Sequence, residues 1–411
     1  MTTSSQAPQT MPAPHEHTAP DTPSHAELVA RAAALRDRLW EEAPRADRDR
    51  RLDERTVDAI RDAGLFRLLT PRRSGGYETD SRTLLDVVTE LGRGCGSAAW
   101  VTGVLNAGNF VAALFPDEAR EEVWGKNPDA GVALVLGPGA PAHRVEGGAL
   151  VTAKWPYSSG SLHCDWAVLT LPVRDGDAEP VPYLALVPMR DTTVEDTWFI
   201  TGLRGTGSNT IVVDGKTVPD HRLIPLASAL DGTLPPRHPE ETLYRCSFSG
   251  VLLTSLLGAQ LGEVRAALEL VLEKAPKRSI NASNYTSQVQ SVTFQTTVAE
   301  AATKIDTALF HAYRLTGDID AHARRGEMPD VPTRTRVRTD SAYASRQCRE
   351  AVDLLVTAHG TSAFAEFNPL QRIWRDVNVA GRHAGFGAGI PEEMYGRVLL
   401  GEDPRAVSFL L

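Results

Sequence analysis

The sequence predicts an α+β fold in three parts: a helical block, a β-rich middle and a second helical block. Three observations carry this. Apolar residues recur at helical spacing from Leu28 onward and again from Phe248 onward. Between about residues 130 and 225 the runs shorten, become β-rich, and are separated by Gly, Pro and Asp clusters. The rear helical segments are too long to stand alone in water, and an antiparallel four-helix bundle is the usual way to bury them. The expected units are a helical domain at 25–128, a central antiparallel β domain at 129–230 and a helical bundle at 240–411.

Residues 1–24 are rich in Ser, Thr, Pro and Ala and are predicted to be disordered. His15 and His17 form an HxH there, which reads as solvated side chains before it reads as a metal site. Leu28, Ala32, Leu35 and Leu39 mark the first helix, followed by helices over 52–63 and 82–91. The stretch 97–114 is uncharged from Ala98 onward and is predicted to be buried on most faces. A short helix follows at 117–124. Strands are expected at 132–136, 166–173, 183–187 and 210–213, in an antiparallel sheet or small barrel. After a Pro-rich linker at 231–239, helices are expected at 248–274, 285–325, 336–359, 369–382 and 391–400. Their broad apolar faces point to homo-oligomerisation.

Composition excludes several functions. The 411 residues are 42% apolar with a net charge of −9, and nothing forms the basic face that nucleic acid requires. Four scattered cysteines without a CxxC pair give neither a zinc site nor a disulfide framework, which fits a reducing, cytoplasmic compartment. No uninterrupted apolar run nears the ~18 residues of a membrane span, and the N-terminus has no signal-peptide pattern. Gly202-x-x-Gly205-x-Gly207 precedes a strand and does not open a helix, so it is no dinucleotide fingerprint.

The sharpest motif runs from Trp155 to Trp166, WPYSSGSLHCDW. An aromatic followed by Ser-Ser-Gly sets a flat wall beside hydroxyls and open amides, which suits an isoalloxazine ring. The same residues also make an ordinary turn in which serines satisfy their own backbone. His163-Cys164-Asp165 reads first as strand residues facing alternate sides.

This segment resembles the Trp-x-[Phe/Tyr]-[Ala/Ser]-Ser-Gly motif of the two-component flavin-dependent monooxygenases, a branch of the acyl-CoA dehydrogenase superfamily. The likeness continues through Gly205-Thr-Gly-Ser208, Val218-Pro219, Val298–Ala301, His359-Gly-Thr-Ser362, Pro369–Asp376, Tyr395-Gly-Arg and Leu399-Leu-Gly401. It implies reduced FMN (or FAD) delivered by a separate NAD(P)H-flavin reductase, O2 as co-substrate, a C4a-(hydro)peroxyflavin, and a small aromatic substrate of polyketide or indole-like type. It also implies a homotetramer. Carried onto matching positions, Trp155, Tyr157, Ser158 and Ser159 lie at the flavin ring. Arg278, with the loop His359, Gly360 and Ser362, lies at its phosphate. Ser159 and His383 are the catalytic candidates. The substrate would meet Asn106, Asn109, Phe110, His163 and Phe386. Where acyl-CoA dehydrogenases commonly carry a catalytic glutamate this chain has Ala384, which removes the usual base for dehydrogenation. An acyl-CoA dehydrogenase-type oxidoreductase and a non-catalytic flavin-binding protein are the rival readings.

Overall fold

The computed structural model describes residues 22–235 and 237–411. The expected disordered tail, with His15 and His17, falls almost wholly outside the described residues. Six helices come first: α1 (His25–Ala34), α2 (Arg36–Asp49), α3 (Glu54–Asp62), α4 (Ser81–Gly92), α5 (Gly96–Ala112) and α6 (Asp117–Trp124). Their starts are set by side-chain acceptors for orphan amides. Ser24 and Glu27 form a reciprocal capping box, Asp53 accepts from the Arg55 amide and Asp80 from the Thr83 amide.

Eight strands follow: β1 (Val132–Val135), β2 (Ala142–Val145), β3 (Gly148–Ser158), β4 (Trp166–Arg174), β5 (Val181–Pro188), β6 (Thr193–Glu195), β7 (Asn209–Pro219) and β8 (Leu223–Pro225). They form one sheet in the order β6-β7-β3-β2-β4-β5-β8, with β1 also on β4. The sequence predicts an antiparallel sheet, and the observed one is mixed. β1 and β2 run in the same direction, β3 turns back, and β4 returns parallel to both, so the two share one edge of β4. β1 pairs Trp166–Leu169 and β2 pairs Val173–Arg174.

Alternation along the strands divides the molecule into two cores. On β4, Trp166 and Val168 join the large helical core, while Ala167, Leu169, Leu171 and Val173 join a second core on the other face. On β3, Ala149, Val151, Ala153 and Trp155 all point into that second core, and Thr152 and Lys154 point to solvent. Trp155 is therefore committed by its phase. It is 1% exposed, and its Nε1 donates to the Thr170 carbonyl at 2.9 Å. The open aromatic wall expected at Trp155 is a core side chain.

The chain continues through α7 (Leu226–Asp231) to α8 (Phe248–Lys274), α9 (Val292–Arg325), α10 (Val331–His359), α11 (Pro369–Ala380) and α12 (Ile390–Leu399). α8 is long and apolar enough by composition to cross a membrane, yet 89% of that stretch is buried among α4, α5, α9, α10 and α11. All 17 residues of α5 are buried. Small residues let α5 approach its neighbours: a Cβ on Gly103 would meet the Ser255 carbonyl of α8, and one on Gly108 the Val132 carbonyl of β1. α9 begins at Val292 and not at 285, because residues before it form a loop in which the Gln288 amide donates to the Arg278 carbonyl at 2.6 Å. α10 begins early, at Val331, because Asp330 caps it through the Thr333 amide.

Truncating Trp155 to alanine removes a buried ring and its bond to the Thr170 carbonyl. Trp155→Ala is expected to cost about 3–5 kcal/mol, read as a large drop in thermal midpoint; a midpoint within a degree of wild type contradicts the core assignment.

Candidate functional site

The site is assembled where α5, the turn after β3, the loop before β7 and the turn after α11 meet. Trp100, near the start of α5, is its centre. Its Nε1 donates to Ser159 Oγ at 3.1 Å, and its ring stands edge-on to His383, with centroids 5.6 Å apart. Phe386 packs edge-on to the other side of His383 at 6.2 Å. Leu253 of α8 closes against Gly385. Ser159, His383 and Phe386, distant in sequence, are thus brought together, and the residue joining them is one that the sequence reading missed. An indole placed in an otherwise small-residue, uncharged helix was the available signal, because its N–H needs a partner.

His383 is solvent-accessible, yet protein surrounds it so closely that desolvation pulls its pKa down to about 4. The Gly385 amide donates to Nδ1 at 3.1 Å, so the neutral ring carries its proton on Nε2 and offers a donor there.

Ser159 is half-buried and belongs to a run of hydroxyls. Its Oγ lies 2.7 Å from Ser208 Oγ, which lies 2.7 Å from Thr206 Oγ1, which in turn donates to the Leu203 carbonyl at 2.8 Å. The loop bearing these groups is pinned to α11. Asp376 accepts from the Leu203 amide at 2.5 Å, and Arg375 grips Asp47 at 2.9 and 3.1 Å while reaching the Thr201 carbonyl. Gly202 is needed there because its α-carbon packs against the Arg375 backbone. Burial raises Asp376 to about 6. Glu263 beside it is held well above the ordinary carboxylate range by burial and by Asp376.

Other expected ring contacts are repositioned. Ser158 is fully buried, and its hydroxyl donates back to the Trp155 carbonyl at 2.8 Å, so it offers nothing outward. Tyr157 sits at a bulge with φ +62°, is 72% exposed, and stands edge-on to Trp198.

Most of the expected substrate residues are structural. Asn106 ties α5 to the Leu65 carbonyl and the Leu69 amide, and Asn109 ties it to the Phe66 carbonyl and Thr70. Both satisfy buried backbone and face no opening. Phe110 lies ten residues beyond Trp100, roughly 15 Å along the helix. It lines a separate cavity of about 270 Å³ with Tyr244, Phe248, Arg120 and Glu241. The His163 side chain is 1% exposed and turns toward Glu54, at 3.9 Å; burial lowers its pKa to about 4. It lines no open surface.

A second group forms at the far end of α11. Arg278 Nη2 donates to the His359 carbonyl at 2.9 Å and to Ser362 Oγ at 2.8 Å, and its buried Nε has no partner. Gly360, at φ +84°, leaves open space at its α-carbon. His359 is 2% exposed and lowered to about 4, by burial first and then by Arg278 and Lys274, so it brings no charge at neutral pH. Asn368, also missed, holds the loop: its Nδ2 reaches His359 Nε2 at 3.1 Å and the Ser362 carbonyl at 2.8 Å. An arginine with an orphaned N–H, a hydroxyl and an open glycine fit a phosphate. Ser159, the His383 donor and the apolar Trp100 and Phe386 fit the polar edge and face of a flavin ring.

Comparison with known proteins identifies the family. The acyl-CoA dehydrogenase N-terminal domain family matches residues 22–124 and the acyl-CoA dehydrogenase C-terminal domain family matches residues 255–387. The chain is 32% identical over 370 residues to the flavin-dependent monooxygenase oxygenase subunit HsaA of Rhodococcus jostii, covering 89% of this chain and 96% of that one. It is 31% identical to the oxygenase component of an FADH2-dependent resorcinol hydroxylase from Rhizobium sp., covering 93% and 96%. The solved structure of XiaF from Streptomyces sp., in complex with FADH2 and glycerol, superposes with a TM-score of 0.87 at 39% identity, covering 92% and 96%. With family models, relatives and solved structures in agreement, the chain belongs to the oxygenase components of two-component flavin-dependent monooxygenases, on the acyl-CoA dehydrogenase fold.

Proposed function

We propose that this oxygenase binds reduced FMN or FAD made by a separate NAD(P)H-flavin reductase and hydroxylates a small neutral aromatic compound, a phenolic or indole-like natural product. The observation that carries this is the meeting of Ser159, Trp100, His383 and Phe386, none of which carries a formal charge at neutral pH. Bound flavin supplies the oxygen-activating chemistry; the protein supplies orientation, dryness and a proton donor. Apolar groups surround the reacting region and exclude water. Val104, one turn beyond Trp100, and Leu253 of α8, which packs against Gly385, are apolar groups that support a substrate wall between α5 and α8. The neutral His383 Nε2–H is placed to donate to an oxygen of flavin or substrate. Relatives acting on resorcinol support an aromatic substrate. Residue 384 is alanine, so an acyl thioester would find no carboxylate base there.

Arg278 and His383 lie at opposite ends of the 12-residue α11, roughly 18 Å apart. We infer that Arg278 reaches the flavin phosphate of a neighbouring protomer in a homotetramer. Phe310, Phe367 and Leu400, at 72%, 90% and 81% exposure, supply apolar area for such contacts. The four unpaired cysteines support a cytoplasmic setting.

The deciding experiment supplies a flavin reductase, NADH, FMN and O2 with a panel of phenols and indoles. Hydroxylated product that depends on every component is expected; flavin reduction by acyl-CoA without a reductase overturns the reading. His383→Ala is expected to lower turnover about 10²-fold or more. Because burial puts His383 at about 4, the ring is neutral throughout the neutral range. kcat/KM is therefore expected to show no titration of this residue between about pH 5.5 and 7.5, and an acid limb near 6.5 that vanishes in His383→Ala contradicts this. Arg278→Ala is expected to weaken reduced FMN roughly 10- to 100-fold, as for lost charge-assisted bonds, while leaving phosphate-free reduced riboflavin unchanged in an anaerobic titration.

A further inference from the structure

The cavity at the far end of α5 is walled by two kinds of side chain. Phe110, Tyr244 and Phe248 form an aromatic side, with the Phe110 centroid 5.8 Å from that of Tyr244 and 6.4 Å, edge-on, from that of Phe248. The Tyr244 hydroxyl proton is taken by the Leu69 carbonyl at 3.0 Å, so this side presents ring surface. Arg120, Arg237 and Arg245 supply the other side, and Glu241 is the one carboxylate among the lining residues. That carboxylate is matched twice within the protein. Arg120 Nη2 donates to both of its oxygens, at 3.0 and 2.9 Å, and Arg73 Nε donates to one of them at 2.6 Å. Arg120 is 4% exposed, and its Nη1 comes no nearer to a carboxylate than 3.7 Å, at Asp117. Asp117 is itself held by His238 at 2.7 Å. The carboxylates here are thus taken by Arg73, Arg120 and His238, and among the described residues Arg237 and Arg245 join no ion pair. Three lining arginines stand against one lining acid, and that acid is already satisfied.

We propose that this cavity is a second small-molecule site, built for an aromatic carboxylate of one ring with a short acidic arm. The ring packs against Phe110, Tyr244 and Phe248, and the carboxylate meets Arg120 Nη1 together with the exposed Arg237 and Arg245. An anion there matches a buried guanidinium whose own partner occupies only one of its nitrogens. A volume of about 270 Å³ lies just under the usual range for drug-sized ligands, which limits the occupant to one ring and excludes a nucleotide. The site is independent of the flavin reading. Phe110 lies roughly 15 Å along α5 from Trp100, and Ser159, His383 and Phe386 take no part in the lining.

The test is titration calorimetry of the full-length, flavin-free protein with benzoate, benzamide and acetate. Benzoate is expected to bind. Benzamide, which keeps the ring without the charge, and acetate, which keeps the charge without the ring, should each bind roughly tenfold or more weaker. The double variant Arg237→Ala, Arg245→Ala should weaken benzoate roughly 10-fold or more, as for lost charge-assisted bonds, with benzamide unchanged. Ala229→Phe, which sets a ring into the cavity, should abolish binding. The arginine pair lies at exposed positions, so it keeps the test decisive if the larger ring upsets packing. His383→Ala should bind benzoate as wild type does. No binding at millimolar benzoate, equal affinities for benzoate and benzamide, or an arginine double variant that binds benzoate as tightly as wild type overturns the proposal. Binding that is lost in His383→Ala and kept in Ala229→Phe places benzoate in the crease and overturns it too.

Discussion

The bond from the Leu203 amide to Asp376 fixes the register of everything at the site. It fastens the loop before β7 to α11, and the Leu203 carbonyl on the same residue anchors the hydroxyls that end at Ser159. Trp198 Nε1 donates to that carbonyl as well, at 3.0 Å. Without the carboxylate a buried amide would have no partner, which costs about 1–3 kcal/mol. The loss would not stay local, because the loop also carries Thr206 and Ser208. A neighbouring carboxyl, Glu263, is tolerated in the same interior because burial and Asp376 keep its proton on. One acid thus stays neutral, and the other takes up the amide.

A second constraint is the thinness of α5. Gly96, Gly103 and Gly108 let it approach α8 and β1 closely, and no charged side chain interrupts it. That closeness puts Trp100 within reach of Ser159 on one side and of His383 on the other. The site therefore belongs to no single part of the fold. It is a crease between helical block, sheet and bundle, which is where binding sites in layered folds commonly form.

Legibility in the sequence followed the strength of local signals. α6 and α8 agree with the bounds expected from the sequence, and α5 was marked by its lack of charge. β3 was misjudged although its phase is written plainly: Ala149, Val151, Ala153 and Trp155 alternate with Leu150, Thr152, Lys154 and Pro156. A motif resemblance drew attention to the indole as a wall, and period-two alternation would have sent it inward. Asn106 and Asn109 were read as amides facing a ligand because sequence does not reveal that the turn at 65–70 needs buried partners. Ser159, His383 and Phe386 were named only through the resemblance to a family, and the structure brings them together. Trp100 was not. Its role comes from a hydrogen bond and a ring contact to residues 59 and 283 positions away, and no window along the chain contains them.

The same scaffold elsewhere supports removal of a proton from an acyl thioester, so the fold alone does not decide the chemistry. The electrostatics of the crease do. His383 is neutral, Ser159 and Trp100 carry no charge, and residue 384 has no side chain able to act as a base. Glu263 and Asp376 are buried and occupied with one another and with Leu203. A substrate whose reaction begins with loss of a weakly acidic carbon-bound proton would find no ionised carboxylate to take it. An electron-rich aromatic ring needs no such group: it needs a dry wall, a fixed approach to the flavin and a donor for the oxygen that becomes anionic. Phe386 with Leu253, the hydroxyls under Ser159 and the Nε2–H of His383 are the groups this crease offers toward those requirements, and none of them is charged.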